Sequence, residues 1–193
     1  MRFVQRLLLG VAFVTLTYAG STTAYAELYQ RYQSWKFEHK PEALEFRTQT
    51  ATLSDAVAEL ADLREGDVIG KLEIPRVGIS VMVLQGIEEG TLHTGAGHVP
   101  GTPLPGSDGN SSIAGHRDTF FRKLEGIRAG DRIRFSTVHG TSEYIVGSTE
   151  IVEPDDTQVM ESRGRPELTL ITCYPFYFVG SAPRRFIVHT HPA

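Results

Sequence analysis

The sequence predicts an all-β domain, a barrel or sandwich of about 125 residues, set behind an apolar N-terminal segment. Three observations predict it. From Gly66 onward, short runs rich in β-branched residues alternate with Gly- and Pro-containing turns. Helical periodicity is largely confined to the residues before that point. The chain has 193 residues, 40% apolar and 22% charged, enough for one core and a tail.

The N-terminus comes first. MRFVQR carries Arg2 and Arg6, and Leu7 to Ala26 then runs without a charge. As a helix that run measures about 30 Å, one bilayer core. Positive charge before it and none just after predicts a cytoplasmic N-terminus with the domain outside the plasma membrane. Two readings compete: a single-pass transmembrane anchor, or a signal peptide cut after the Ala24-Tyr25-Ala26 pattern. Ser21, Thr22 and Thr23 weaken the run as a span, but the anchor is the reading adopted.

Residues 27–65 are read as a helical membrane-proximal stalk and 66–193 as the β domain. Tyr25, Leu28, Tyr29, Tyr32, Trp35 and His39 recur at helical spacing until Pro41 interrupts. Such a helix packs on the domain or continues out of the membrane. A second short helix is expected over 51–64.

The β domain opens with strands at 68–75 and 78–84, split by Pro75-Arg76. Residues 95–110 read as a long Gly/Pro loop, 111–115 as a brief strand and 120–131 as a helical turn. Residues 132–137 and 141–152 form a hairpin, 154–166 a polar connection, and 167–172 and 185–190 the closing strands.

Lys and Arg total 19 against 23 Asp and Glu, a net charge of -4, with no basic excess to suggest nucleic acid. No Gly-rich phosphate loop, paired-cysteine metal site or internal repeat is present, so neither a cofactor nor a metal is expected.

The chemistry centres on Cys173 in ELTLITCYPF, the only cysteine of the chain. The plain reading is a buried core residue. In an exported domain it is also an unpaired thiol. A thiol attacks as thiolate, helped by an imidazole or a cation. Of seven histidines, His116 is best placed, just after the SSIAG strand and opening a turn with Arg117 and Asp118. Alone it reads more readily as a surface or hydrogen-bonded structural residue. His93 and His98 lie five apart with no third ligand and are read as loop histidines. His139, His189 and His191 are read as solvated. Arg184 and Arg185 open the last strand. Paired arginines are usually a solvated face, but a guanidinium can also hold a developing oxyanion.

Three motifs in one order change the weighting: AGHRDTFF, then TLITCYPF, then PRRFIV. Together they resemble the sortases, cysteine transpeptidases of bacterial surfaces, and look most like the class D group. The resemblance implies a closed eight-stranded β-barrel over 66–190. It implies Cys173 as the nucleophile that carries an acyl-thioester and His116 as general acid and base. It further implies Arg185 as the stabiliser of the oxyanion, with Arg184 the fallback, and Thr172 as pocket lining. Val159 and Met160, in the connection before the cysteine strand, would touch apolar substrate residues. The implied partners are secreted proteins bearing a C-terminal Leu-Pro-x-Thr-Gly or Leu-Pro-x-Thr-Ala signal. The implied acceptor is an amine of the cell envelope or a lysine of another protein. Two alternatives stay open: an inactive binding module on the same barrel, and another exported Cys-His enzyme. L,D-transpeptidases carry Ser-His-Gly-Cys, and NlpC/P60 peptidases place Cys before His, unlike this chain.

Overall fold

The structure, a computed structural model, describes residues 2–38, 63–162 and 164–193. Eight strands follow one long N-terminal helix, α1 (Arg2–Glu38). They are β1 (Val68–Ile74), β2 (Ile79–Gln85), β3 (Ala96–His98), β4 (Asn110–Gly115), β5 (Arg132–Thr137), β6 (Gly140–Val152), β7 (Glu167–Tyr174) and β8 (Arg184–Pro192). A six-residue helix, α2 (Glu89–Thr94), joins β2 to β3. The strands close in the order β1-β2-β3-β4-β7-β8-β6-β5, with β1 pairing β5 as well as β2. The closed eight-stranded barrel is the architecture that the motifs imply.

Alternation builds it. In β1, Leu72 and Ile74 are fully buried while Lys71 and Glu73 point outward and pair at 3.5 Å. In β5, Ile133 and Phe135 fill the interior, and Arg132 and Arg134 reach Glu143 on the outer face. Val81, Val83, Ile113, Leu168, Leu170 and Val188 complete the middle of the core. Burying such side chains contributes roughly 1.5–3 kcal/mol each.

Two pairings are parallel, β2 with β3 and β4 with β7. The second sets the site, because it lays Gly115, the last residue of β4, beside Thr172 of β7.

Several expectations are corrected. The stretch 95–110 is not all loop, since β3 lies inside it, and α2 precedes it. His98 is not a loop histidine but the last residue of β3. It is 2% exposed, and its ring lies within hydrogen-bonding distance of Gln85 Oε1 (2.9 Å), Pro103 O (3.0 Å) and Thr102 Oγ1 (3.1 Å). His189 is half-buried on β8, 2.6 Å from Glu150. The helical turn expected within 120–131 is there, as a short 3-10 segment, Arg122–Gly126.

The transmembrane span is not found: among the described residues, no helix is long and apolar enough to cross a membrane. α1 is unbroken, but Thr15, Thr17, Ser21, Thr22 and Thr23 dilute its apolar half. The hydroxyls of Thr15 and Thr17 return to the helix backbone, at Val11 O and Phe13 O. Further along, α1 touches the barrel. Gln30 accepts from Met82 N at 2.7 Å and donates to Thr94 O, bridging β2 to the end of α2. The helix expected over 51–64 lies almost wholly outside the described residues.

Candidate active site

The site follows from three adjacent strands, β4, β7 and β8. In the β7–β8 ladder Cys173 lies opposite Arg185, and Ile171 opposite Ile187. Directly opposed residues share a face of the sheet. The intervening pair, Thr172 and Phe186, alternates to the other face. Arg184 pairs with Tyr174, and its guanidinium sits 6.0 Å from that ring. Register therefore puts Arg185, and not Arg184, on the face of Cys173.

His116 follows directly on Gly115. Phe121 N donates to His116 O (3.1 Å), which closes the turn. Gly115 is needed there, because a Cβ would come within 2.7 Å of the buried Phe121 ring. Thr172, 2% exposed, donates its hydroxyl to Gly115 O at 2.7 Å. That bond ties the residue before Cys173 to the residue before His116. Thr172 thus lines the cavity while its hydroxyl is committed to the β4 backbone.

Cys173, His116, Arg185, Thr172, Val159 and Met160 all line one cavity of about 350 Å³. Its sides are apolar, from Ile171 and Ile187 on the sheet, Ile87 and Leu92 near α2, and Val152 and Pro154 opposite. Cys173 is half-buried and not disulfide-bonded, so the buried-core reading of the thiol does not hold. His116 Nε2 is buried and, among the described residues, accepts or donates no hydrogen bond. Arg185 Nη1 donates to Arg184 O (3.1 Å) and Ala182 O (3.4 Å), which folds its guanidinium against the entry to β8. No group of three or more His, Cys, Asp or Glu side chains among the described residues is placed to hold a metal ion.

Sequence reasoning missed three supporting residues. Asn110, 2% exposed, donates to Val159 O (3.1 Å) and Glu161 O (3.3 Å) and accepts from the Thr169 hydroxyl (2.8 Å). A single buried amide thereby holds the turn carrying Val159 and Met160, a 3-10 segment at Gln158–Met160. His93 on α2 is exposed, but its ring centroid lies 5.5 Å from that of His116. Arg117, noted only as a turn residue, reaches the loop after Cys173. Each makes contacts across more than 20 residues of chain, for which no local pattern exists.

Away from the site, the Arg76 guanidinium beside Asp131 holds that nearly buried carboxyl below the usual carboxylate range. Burial pushes the His98 ring below the ordinary histidine value.

The closed barrel brings Cys173 of β7, Arg185 of β8 and His116, just past the end of β4, to one cavity. The sortase domain family matches residues 72–193, and the chain belongs to the sortase family. Sortase D of Bacillus subtilis is 36% identical over 125 residues, 64% of this chain and 63% of that protein. The chain thus spans less than two thirds of that relative's length. Sortase A of Bacillus anthracis is 31% identical over 144 residues, 72% of this chain and 68% of the relative. A Clostridium perfringens sortase D5 transpeptidase has the same fold, with a TM-score of 0.68 at 23% identity, over 88% of this chain and 99% of that one. The class D likeness of the AGHRDTFF and CYPF motifs agrees with the sortase D relative.

Proposed function

We propose that this chain is a cysteine transpeptidase that cleaves a Leu-Pro-x-Thr-Gly or Leu-Pro-x-Thr-Ala signal after Thr. It passes the acyl group to an amine of the cell envelope or to a lysine of another protein. The observation that carries this is the strand register, which puts Cys173 and Arg185 on one face with His116 beside them in one apolar cavity.

In the proposed reaction the Cys173 thiolate adds to the Thr carbonyl carbon. The carbonyl oxygen becomes an oxyanion, which the Arg185 guanidinium stabilises by turning from its resting carbonyls into the cavity. The C–N bond breaks as the His116 imidazolium donates its proton to the leaving amine. Cys173 then carries a thioester. The incoming amine adds to that carbonyl and gives its proton to the His116 imidazole. The C–S bond breaks, leaving a new amide and the thiolate. A His116 Nε2 without a competing protein partner suits a group that must exchange protons. Val159 and Met160 are proposed to meet the apolar Leu-Pro part of the signal, because their turn walls the cavity.

Membrane attachment belongs to the same reading. Arg2 and Arg6 ahead of an uncharged run argue for an N-terminal anchor over 1–26, a stalk over 27–65 and the catalytic domain over 66–193, outside the plasma membrane. N-terminal sequencing of protein from a washed membrane fraction tests it. A start at Met1 supports the anchor, and a start at Glu27 supports a cleaved signal.

The catalytic reading is tested with Leu-Pro-x-Thr-Gly and Leu-Pro-x-Thr-Ala peptide libraries, triglycine as acceptor and mass spectrometry. Cleavage after Thr with triglycine joined on is expected. No product from any peptide would contradict it.

A further inference from the structure

We infer that Arg117 is a positioning residue that fixes the geometry between His116 and Cys173 by clamping the loop that follows the cysteine. Three backbone carbonyls of that loop converge on this one guanidinium. Nη1 donates to Pro175 O (3.2 Å), and Nη2 donates to Phe178 O (2.8 Å) and Gly180 O (2.9 Å). The guanidinium also lies 5.8 Å from the centre of the Phe178 ring. A planar fork of donors can serve three acceptors at once, which a lysine ammonium cannot match in the same geometry.

Position in the chain gives the clamp its meaning. Arg117 is the residue after His116, and Pro175 is two residues after Cys173. On the strand side of the site, the Thr172–Gly115 hydrogen bond and the Cys173–Arg185 pairing hold β4, β7 and β8 in register. Neither restrains the chain beyond Tyr174. Arg117 supplies that restraint from the histidine turn itself, so both ends of the Cys-His pair are bound to one another. The loop is held further out as well. The Arg122 guanidinium lies 4.8 Å from the Tyr177 ring, and the Tyr177 hydroxyl donates to Glu125 Oε2 at 3.0 Å. Those contacts hold the loop tip and Phe176 is buried in the core, whereas Arg117 joins the base of the loop to the residue beside His116.

The inference rests on the Cys173–His116 reading, and its test separates the two. The full-length chain and its R117A, R117K and H116A variants are alkylated at Cys173 with iodoacetamide across a range of pH. Peptide cleavage is measured in parallel. Besides Arg117, whose charge R117A removes and R117K keeps, the titratable and charged groups around the pair are His93 on α2, Arg185 on β8 and Asp156 on the β6–β7 connection, and these are left unaltered. In R117A the alkylation profile is expected to move from that of the native chain toward that of H116A. Its kcat should fall about 10- to 100-fold with a much smaller change in KM, as misplacing a catalytic pair does. R117K, which keeps the charge and loses the fork, should recover part of both.

A brace that serves stability alone would lower Tm and leave the alkylation profile and kcat of the folded protein unchanged. That result in R117A, or in R117K if R117A does not fold, overturns the inference. Native and H116A profiles that coincide would instead remove the Cys-His pair itself, and the inference with it.

Discussion

Cys173 and Arg185 are cross-strand partners in the β7–β8 ladder, so the thiol and the guanidinium leave the sheet on the same side. Arg184, one residue earlier, leaves on the other side and lies over Tyr174. R185A is therefore expected to lower kcat/KM about 100- to 1,000-fold, as loss of an oxyanion donor does. R184A should stay near the native value. Peptide cleavage by the two variants side by side checks it, and equal losses would contradict the register argument.

The buried Thr172 hydroxyl gives a second prediction. T172V removes its bond to Gly115 O and should cost about 1–3 kcal/mol. For a domain of this size that is a fall in Tm of roughly 3–10 °C. T172S keeps the hydroxyl and should recover most of it. Thermal unfolding of both variants decides whether Thr172 acts through the backbone or only as pocket lining.

Asn110 carries the third. N110A leaves the carbonyls of Val159 and Glu161 without their buried donor and frees the turn that walls the cavity. KM for a sorting-signal peptide is expected to rise, while the pH profile of Cys173 alkylation holds, because neither Cys173 nor His116 touches Asn110. A shifted alkylation profile with unchanged KM would contradict the assignment of that turn to substrate.

His98 gives a pH dependence of stability. Burial holds its folded pKa below the unfolded value, near about 6.5. Its contribution is thus complete above that pH and is lost as pH falls toward the folded pKa, where the unfolded chain takes up the proton first. Tm should decline on acidification through this window. H98Q should flatten the decline, measured by thermal unfolding between pH 7.5 and pH 5, a range spanning that reference value.

The residues proposed to bear the chemistry could be picked out of the sequence because each sits in a short local motif at a strand end. Alternation likewise showed in β1 and β5, where apolar and charged residues trade places one by one. β3 and α2 were not legible, and the reason is physical. β3 is the three residues Ala96–His98, too short for a period to register. α2 has no side-chain N-cap of its own, since the Glu88 side chain makes no capping bond. The Glu65 carboxylate, 23 residues earlier, accepts from Glu88 N (3.2 Å) and from the Thr91 hydroxyl (2.6 Å) in its place. The parallel β4–β7 pairing, Arg117's three carbonyls and Asn110's reach to Val159 are all long-range, and no window of sequence displays them. The N-terminal run carries two opposed signals: its length is near that of a bilayer core, and its hydroxyl-rich second half lowers its mean hydropathy.

The central claim is that Cys173 takes the acyl group from a sorting signal and hands it to an amine. The most direct measurement is the intact mass of the full-length protein mixed with a Leu-Pro-x-Thr-Gly or Leu-Pro-x-Thr-Ala peptide, before and after adding triglycine. The account predicts a mass increase equal to the peptide up to Thr, carried on Cys173, absent in C173A and discharged by triglycine. An unchanged mass with every peptide, or an adduct that persists in C173A, would contradict it.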